Sequence, residues 1–360
     1  MIDNETIIAV DVGGTYTRIC INFIKNNKLI FPSNYPRIIK KEICSMNDLA
    51  NFIKDTLEPI LKKNQCEINC VIDFAGPVFE HSRAKNTNWY GSPIVTLGDL
   101  INWGFPEDRT LILNDMEAAA YGLVNLLEEN PILPESCKNI YNPEKENQNV
   151  SPFLNKILLA PGTGLGTVGI IYGKIKNGSP IKLVLPSEIQ HSPICPLDDE
   201  HEKLIKWFRE NINGGLWPSW EDFVSGNGLI NIYKGLQSIN EIAPLPRIDT
   251  IGVLSAEKIA DNAIKNIDPR SEHALDLYYR CVGRMAQTMA LLVQPYGGIY
   301  LCGSSTNKNE KFIAHSGLIN EVHSNKKQKD LLMQFPIYII HEEELNIKGC
   351  LLYTSDAADE

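Results

Sequence analysis

Asn114 and Asp115 stand where the apolar run Leu111-Ile112-Leu113 gives way to an alanine-rich segment, Ala118-Ala119-Ala120. The pattern changes there from strand to helix, so a carboxylate falls on a strand-to-helix hinge. In open α/β sheets ligands collect at the carboxyl ends of strands, which makes Asp115 a candidate general base for a reacting hydroxyl. An isolated Asp in that place would only cap the helix. Its company argues for more. Glycine-rich turns occur at Asp11-Val12-Gly13-Gly14-Thr15 and at Pro161-Gly162-Thr163-Gly164-Leu165-Gly166, and Glu188 precedes His191 by three residues.

Each glycine turn lies between two runs of strand character, Thr6–Val10 with Arg18–Phe23 and Ile157–Ala160 with Thr167–Tyr172. Glycine serves a hairpin, and backbone without side chains also lets amides approach a phosphate closely. Gly13, Gly14 and Thr15 are therefore candidate phosphate ligands, with Asp11 facing the accompanying metal ion. Gly162, Thr163 and Gly164 repeat the design in the second half of the chain, as if paired domains clamped a polyphosphate. The second turn leads into an alternating β-type run rather than a helix, so it is no dinucleotide fingerprint. It also lacks the Gly-Lys-Ser/Thr of a Walker loop. Gly303, in Gly303-Ser304-Ser305, ends a further strand where backbone could lie against a nucleotide. Toward a sugar, Glu188 and His191 offer a carboxylate and an imidazole for vicinal hydroxyls, and Asn88 offers an amide. Glu221 precedes the turn Ser225-Gly226-Asn227-Gly228. Zinc finds no support beside His191, because Cys195 has no partner at ligand spacing.

The elements that must hold these residues follow from periodicity. Leu49, Phe52, Ile53, Leu57, Ile60 and Leu61 predict a helix from Ser45 to about Lys63, and Cys70–Ala75 a buried strand. A strand is expected within Lys28–Tyr35, a short helix from Thr96, and a surface excursion over Glu128–Gln148. Ile181–Leu185 reads as a strand, His201–Asn211 as a helix, Trp220–Val224 as a strand, and Ser271–Gln294 as a long buried helix. Phe335–Ile340 is a final strand, with a helix opening at Asn346.

The totals bound the function. A chain of 360 residues with 43% hydrophobic and 22% charged residues predicts two globular domains. Its net charge of −10 argues against nucleic acid or an anionic membrane as main partner, since both need a basic face. Nine scattered cysteines without a CxxC pair suit reduced core thiols in the cytoplasm. The acidic N-terminus shows no signal peptide, and no apolar run is long enough to span a bilayer. Residues 350–360 look like translated sequencing-adapter DNA, an artefact standing in place of the natural C-terminus.

In order and combination, these motifs resemble the bacterial-type ATP-dependent glucokinases of the sugar-kinase/actin/heat-shock ATPase superfamily, from about Ile7 to Gly349. The resemblance implies an α/β, two-lobed, ribonuclease-H-like (actin-like ATPase) fold with the active site in the interdomain cleft. Residues 1–125 plus 341–349 would form a small domain and 126–340 a large one. Asp11-Val12-Gly13-Gly14-Thr15-Tyr16-Thr17-Arg18 matches the first phosphate motif and Pro161–Gly166 the second, with Gly303 at the adenosine turn. The resemblance makes Asp115 the catalytic base and makes Asn88, Asn114, Asp115, Glu188, His191 and Glu221 the glucose ligands. It implies ATP and Mg²⁺ as cofactors, Mg²⁺ lying near Asp11 through water, and transfer to the 6-hydroxyl of glucose to feed glycolysis. Glucose and ATP are then the partners, and a homodimer is allowed but not demanded. Gln190 stands where the sugar motif has glycine, which is expected to reshape the pocket. Alternatives are a kinase for another hexose or amino sugar and a non-catalytic sugar-binding regulator.

Overall fold

The computed structural model describes residues 5–14, 16–25, 28–30, 37–61, 67–87, 89–128, 130, 133–143, 153–173, 181–239 and 254–356. Thr15 and Asn88 of the expected site lie outside these residues, as does part of Lys28–Tyr35. The chain forms two compact units, Met1–Asn130 with Glu344–Glu360, and Pro131–Glu343.

The first unit starts with β1 (Glu5–Val12), whose residues Ile7 to Val10 are all buried. A strand apolar on both faces belongs at the centre of a sheet covered on both sides. β1 runs antiparallel to β2 (Tyr16–Lys25), which also pairs with β3 (Lys28–Ile30) and β4 (Ile39–Glu42). Ser45 caps α1 (Met46–Leu61), accepting from the Asp48 N–H, and Leu49, Phe52, Ile53 and Leu57 face the core. β5 (Glu67–Phe74) lies parallel to β1. A small sheet of β6 (Val78–Phe79), β7 (Arg83–Lys85) and β8 (Ile94–Thr96) leads to α2 (Leu97–Asn102), which Thr96 opens with a capping box. β9 (Thr110–Asn114) completes the order β3-β2-β1-β5-β9 and passes directly into α3 (Asp115–Glu128).

The second unit opens with β10 (Cys137–Tyr141), a strand inside the stretch expected to be a surface excursion. It pairs with the last strand of the sheet and buries only Cys137 fully, so the apolar period of a central strand is missing. The glycine hairpin is β11 (Lys156–Pro161) and β12 (Leu165–Gly173), and β13 (Ile181–Ser187) lies antiparallel to β12. α4 (Asp199–Asn211) follows its Asp198 cap. Trp220–Val224 is no strand: Ser219 and Asp222 form a capping box that winds α5 (Trp220–Phe223) into one helical turn. The remaining helices are α6 (Gly226–Ile239), α7 (Ala256–Ile264) and α8 (Pro269–Val293). α8 has Asp268 as cap, Pro269 in its first turn, and buries Leu275, Tyr279, Val282 and Met285 against the sheet and its neighbours.

β14 (Ile299–Leu301) runs parallel to β11. After it come α9 (Ser304–Ile313), α10 (Leu318–Val322), α11 (Lys329–Leu332) and β15 (Ile337–Ile340), parallel to β14. The order is β10-β15-β14-β11-β12-β13. The chain then returns to the first unit as α12 (Leu345–Asp356), which crosses α3 at backbone contact. A Cβ at Gly349 would overlap the Ala118 carbonyl oxygen, and one at Gly122 the Leu345 carbonyl oxygen. α12 therefore extends into the segment read as adapter-derived, where Cys350 is buried and its Sγ donates to Asp73 Oδ2 at 3.3 Å. None of the described cysteines forms a disulfide, and no described helix is long and apolar enough to cross a membrane.

Candidate active site

In the first unit the parallel strands end level with one another, because their registers pair Asp11 with Asp73 and Phe74 with Asn114. Their carboxyl ends thus bring Asp11, Asp73, Asn114 and Asp115 to one sheet edge, with Gly13 and Gly14 just past β1. The Asn-Asp pair does cap α3. Asn114 Oδ1 accepts from the Met116 and Glu117 N–H groups at 2.9 and 3.4 Å, and Asp115 Oδ1 accepts from Met116 N–H at 2.9 Å. Asn114 Nδ2 donates to the Gly76 carbonyl at 2.9 Å, so its amide is largely committed to the fold. Asp115, only half-buried, keeps its carboxylate at the helix start where a ligand can reach it.

Asp11 is 3% exposed and receives a 2.6 Å bond from Arg18 Nη1, its direct partner across the hairpin. The Gly13 N–H donates to the Tyr16 carbonyl at 3.1 Å and closes the turn. Asp73 was not singled out by the sequence, although a lone acid inside Cys70-Val71-Ile72-Asp73-Phe74 is itself a signal. Complete burial, and then the charges of Asp11 and Asp115, push its carboxyl well above the usual carboxylate range.

In the second unit the turn after β11 is closed by the Gly162 N–H, which donates to the Gly164 carbonyl at 2.8 Å. Thr163 is exposed at its tip. Glu221, on the single turn of α5, reaches this hairpin: its Oε2 accepts the Leu165 N–H at 2.9 Å. A Cβ at Gly164 would stand 2.6 Å from that same oxygen, so glycine is what lets the carboxylate lie there. Glu188 and His191 flank a short 3₁₀ turn after β13, with Glu188 Oε2 3.3 Å from His191 Nε2. His191 Nδ1 lies 3.9 Å from Glu221 Oε1. Burial pushes the Glu188 carboxyl up from its ordinary value, and His191 opposes that push. Gly303, at φ +105°, opens α9, and Ser305 Oγ donates to the Pro161 carbonyl at 2.7 Å, which draws this turn against the end of β11.

Each unit therefore gathers its own set: Asp11, Gly13, Gly14, Asn114 and Asp115 in the first, and Gly162, Thr163, Gly164, Glu188, His191, Glu221 and Gly303 in the second. The first set pairs a half-buried carboxylate with a glycine turn, and the second joins two carboxylates and an imidazole to another. Among the described residues no group of three or more His, Cys, Asp or Glu could hold a metal ion alone. A single carboxylate at a phosphate turn suits Mg²⁺, which keeps several waters and takes phosphate oxygens, and Asp11 is such a carboxylate.

Known proteins bear on this arrangement. A glucokinase from Trichomonas vaginalis is 28% identical over 280 residues, 72% of this chain and 71% of that protein. One from Nostoc sp. is 26% identical over 365 aligned positions, 96% of this chain and 98% of that protein. Among solved structures, the Balamuthia mandrillaris glucokinase in complex with glucose matches with a TM-score of 0.80 at 22% identity, covering 98% of this chain and 94% of that one. A ROK family glucokinase from Streptomyces griseus in complex with glucose and AMPPNP matches at 0.57 and 17%, covering 98% and 99%. These likenesses show the α/β fold with its mixed sheets. The glucokinase family model matches residues 8–357, and the chain belongs to the glucokinase family.

Proposed function

We propose that the chain transfers the γ-phosphoryl group of ATP to the 6-hydroxyl of D-glucose, with the active site in the interdomain cleft that the resemblance implies. The observation that carries this reading is the convergence of Glu188, His191 and Glu221, with Glu221 bonded directly to the hairpin of the second phosphate turn. Sugar ligands hung on a phosphate turn are what a sugar kinase needs, since phosphoryl transfer is mostly positioning and charge neutralisation. Asp115 accepts the proton of the 6-hydroxyl. In a loose transition state that proton leaves late, so the position of the carboxylate matters more than a raised pKa. The turns at residues 13–15 and 162–164 hold the phosphates, Gly14 and Gly164 by their amides and Thr15 and Thr163 by their hydroxyls, while the Gly13 and Gly162 N–H groups close the turns and Gly303 lies toward the nucleoside. Asp11, oriented by Arg18, would hold Mg²⁺, and the ion would supply neutralisation of phosphate charge. Asn88, Asn114, Glu188, His191 and Glu221 bind the remaining hydroxyls.

A coupled assay with ATP, Mg²⁺ and a panel of hexoses tests this reading. ADP release should require glucose and yield glucose 6-phosphate; ATP turnover that ignores every sugar sinks it. Preference for another hexose is the second reading, and the bond from Gln190 to Glu188 is the observation that favours it, because it alters the ligand set itself.

A further inference from the structure

We propose that Gln190 and Thr167 are positioning residues that hold the Glu188 carboxylate in its sugar-binding orientation. The inference rests on Glu188 being a sugar ligand. Gln190 is buried, whereas the side chains of Glu188 and His191 in the same short segment are 50% and 55% exposed. Both ends of its amide are used. Thr167 Oγ donates to Gln190 Oε1 at 2.7 Å, and Gln190 Nε2 donates to Glu188 Oε2 at 2.7 Å. The arrangement has one workable direction: a carboxylate only accepts, so the amide must present its NH₂ end to Glu188, and the threonine hydroxyl then supplies the carbonyl end.

Thr167 is fully buried on β12, two residues after Leu165, whose N–H holds Glu221. One strand thus carries both carboxylates, Glu221 by a main-chain bond and Glu188 through the Gln190 amide. His191 stands between them, with a nitrogen 3.3 Å from one and 3.9 Å from the other. The ring Leu165, Glu221, His191, Glu188, Gln190 and Thr167 begins and ends on the strand that leaves the second phosphate turn. A half-exposed Glu without such a tether samples several rotamers, and ordering them on binding costs affinity. The tether removes that cost before the sugar arrives. The bond to Gln190 also favours the charged form of Glu188 against the burial that disfavours it.

The experiment is steady-state kinetics of Thr167→Val, Thr167→Ser and Gln190→Met, with Glu188→Ala and the double variant Glu188→Ala/Thr167→Val. Thr167→Val and Gln190→Met should each raise the glucose KM about tenfold, with kcat within about twofold and the ATP KM unchanged. Thr167→Ser keeps the hydroxyl and should restore near wild-type glucose KM. In the Glu188→Ala background, Thr167→Val should add nothing, because the bridge acts only through that carboxylate. A normal glucose KM in the two single variants, alongside a raised one in Glu188→Ala, overturns the bridge and leaves Glu188 as ligand. An unchanged glucose KM in Glu188→Ala instead overturns the ligand assignment, and the bridge with it. Thr167→Val and Gln190→Met are both close in volume to the native side chains, so either one decides the matter if the other does not fold.

Discussion

In the first unit the hairpin β1–β2 continues into parallel β5 and β9; in the second, β11–β12 continues into parallel β14 and β15. In both, a glycine turn joins the hairpin strands at the edge where the parallel strands end. What leans on each turn is different. The first is braced from within, by Asp11 and Arg18 across the hairpin and by Gly13 to Tyr16 at its tip. The second is closed from within by Gly162 to Gly164, and is braced from outside as well, by Glu221 brought in from α5 and Ser305 from α9. The difference teaches that one chassis recurs in both units, while the side chains that meet each turn come from different places in the chain. Under the proposed function the first unit supplies the base, and the second supplies three of the sugar ligands, Glu188, His191 and Glu221.

The largest effect should separate those roles. Asp115→Ala is expected to lower kcat about a thousandfold while glucose binding stays nearly unchanged, as read by kcat against a glucose titration. Glu188→Ala should do the reverse, raising the glucose KM more than it lowers kcat. Equal loss of turnover and affinity in Asp115→Ala would break the division between the units.

Acid and alkali should also strain the two units in opposite directions. In the second, fully buried His201 accepts the Leu197 N–H at 3.1 Å, and burial lowers its pKa from 6.5 to about 4. A depressed folded-state pKa means that stability is whole above the unfolded value near 6.5 and drains away as pH falls toward 4. That drop corresponds to at most about 3 kcal/mol. His201→Gln, which keeps an acceptor and does not titrate, should flatten the loss of Tm between pH 6.5 and 4. In the first unit Asp73 has a raised carboxyl, so its contribution is whole below the unfolded value near 3.9 and is lost as pH rises. Asp73→Asn should raise Tm at neutral and mildly alkaline pH and change little in acid. Unaltered pH profiles in either variant would show that other groups set the response.

Much of this was legible in the sequence where local spacing does the work. A hairpin turn must draw its glycines from adjacent positions, and a strand-to-helix hinge must draw its cap and its carboxylate from neighbours, so Gly13, Gly162, Asn114 and Asp115 announce themselves. The ties between distant segments do not. Glu221 and Leu165 are 56 residues apart, and Gln190 and Thr167 are 23 apart, joined only by folding. β10 was missed because an edge strand with one fully buried residue carries no apolar alternation. α5 was misread on the β-type residues Trp220, Phe223 and Val224, although Ser219-Trp220-Glu221-Asp222 spells a capping box. Tertiary position overrode propensity there, and it is that helical turn which delivers Glu221.

The finest test exchanges the same methyl into both turns. At Gly164 the added carbon would lie 2.6 Å from Glu221 Oε2, the far end of a flexible side chain, which can swing away. Gly164→Ala should therefore cost little Tm, yet it releases Glu221 from Leu165, raising the glucose KM about tenfold and the ATP KM with it. At Gly13 the carbon would lie 3.1 Å from the Tyr16 carbonyl oxygen, main chain that itself closes the hairpin. No sugar ligand leans on that turn among the described residues, so Gly13→Ala should raise the ATP KM alone, by about threefold. Varying each substrate at saturating levels of the other reads both constants. A glucose KM that rises equally in the two variants would mean that the turns are functionally alike, and that recruitment of Glu221 from α5 does not set the halves apart.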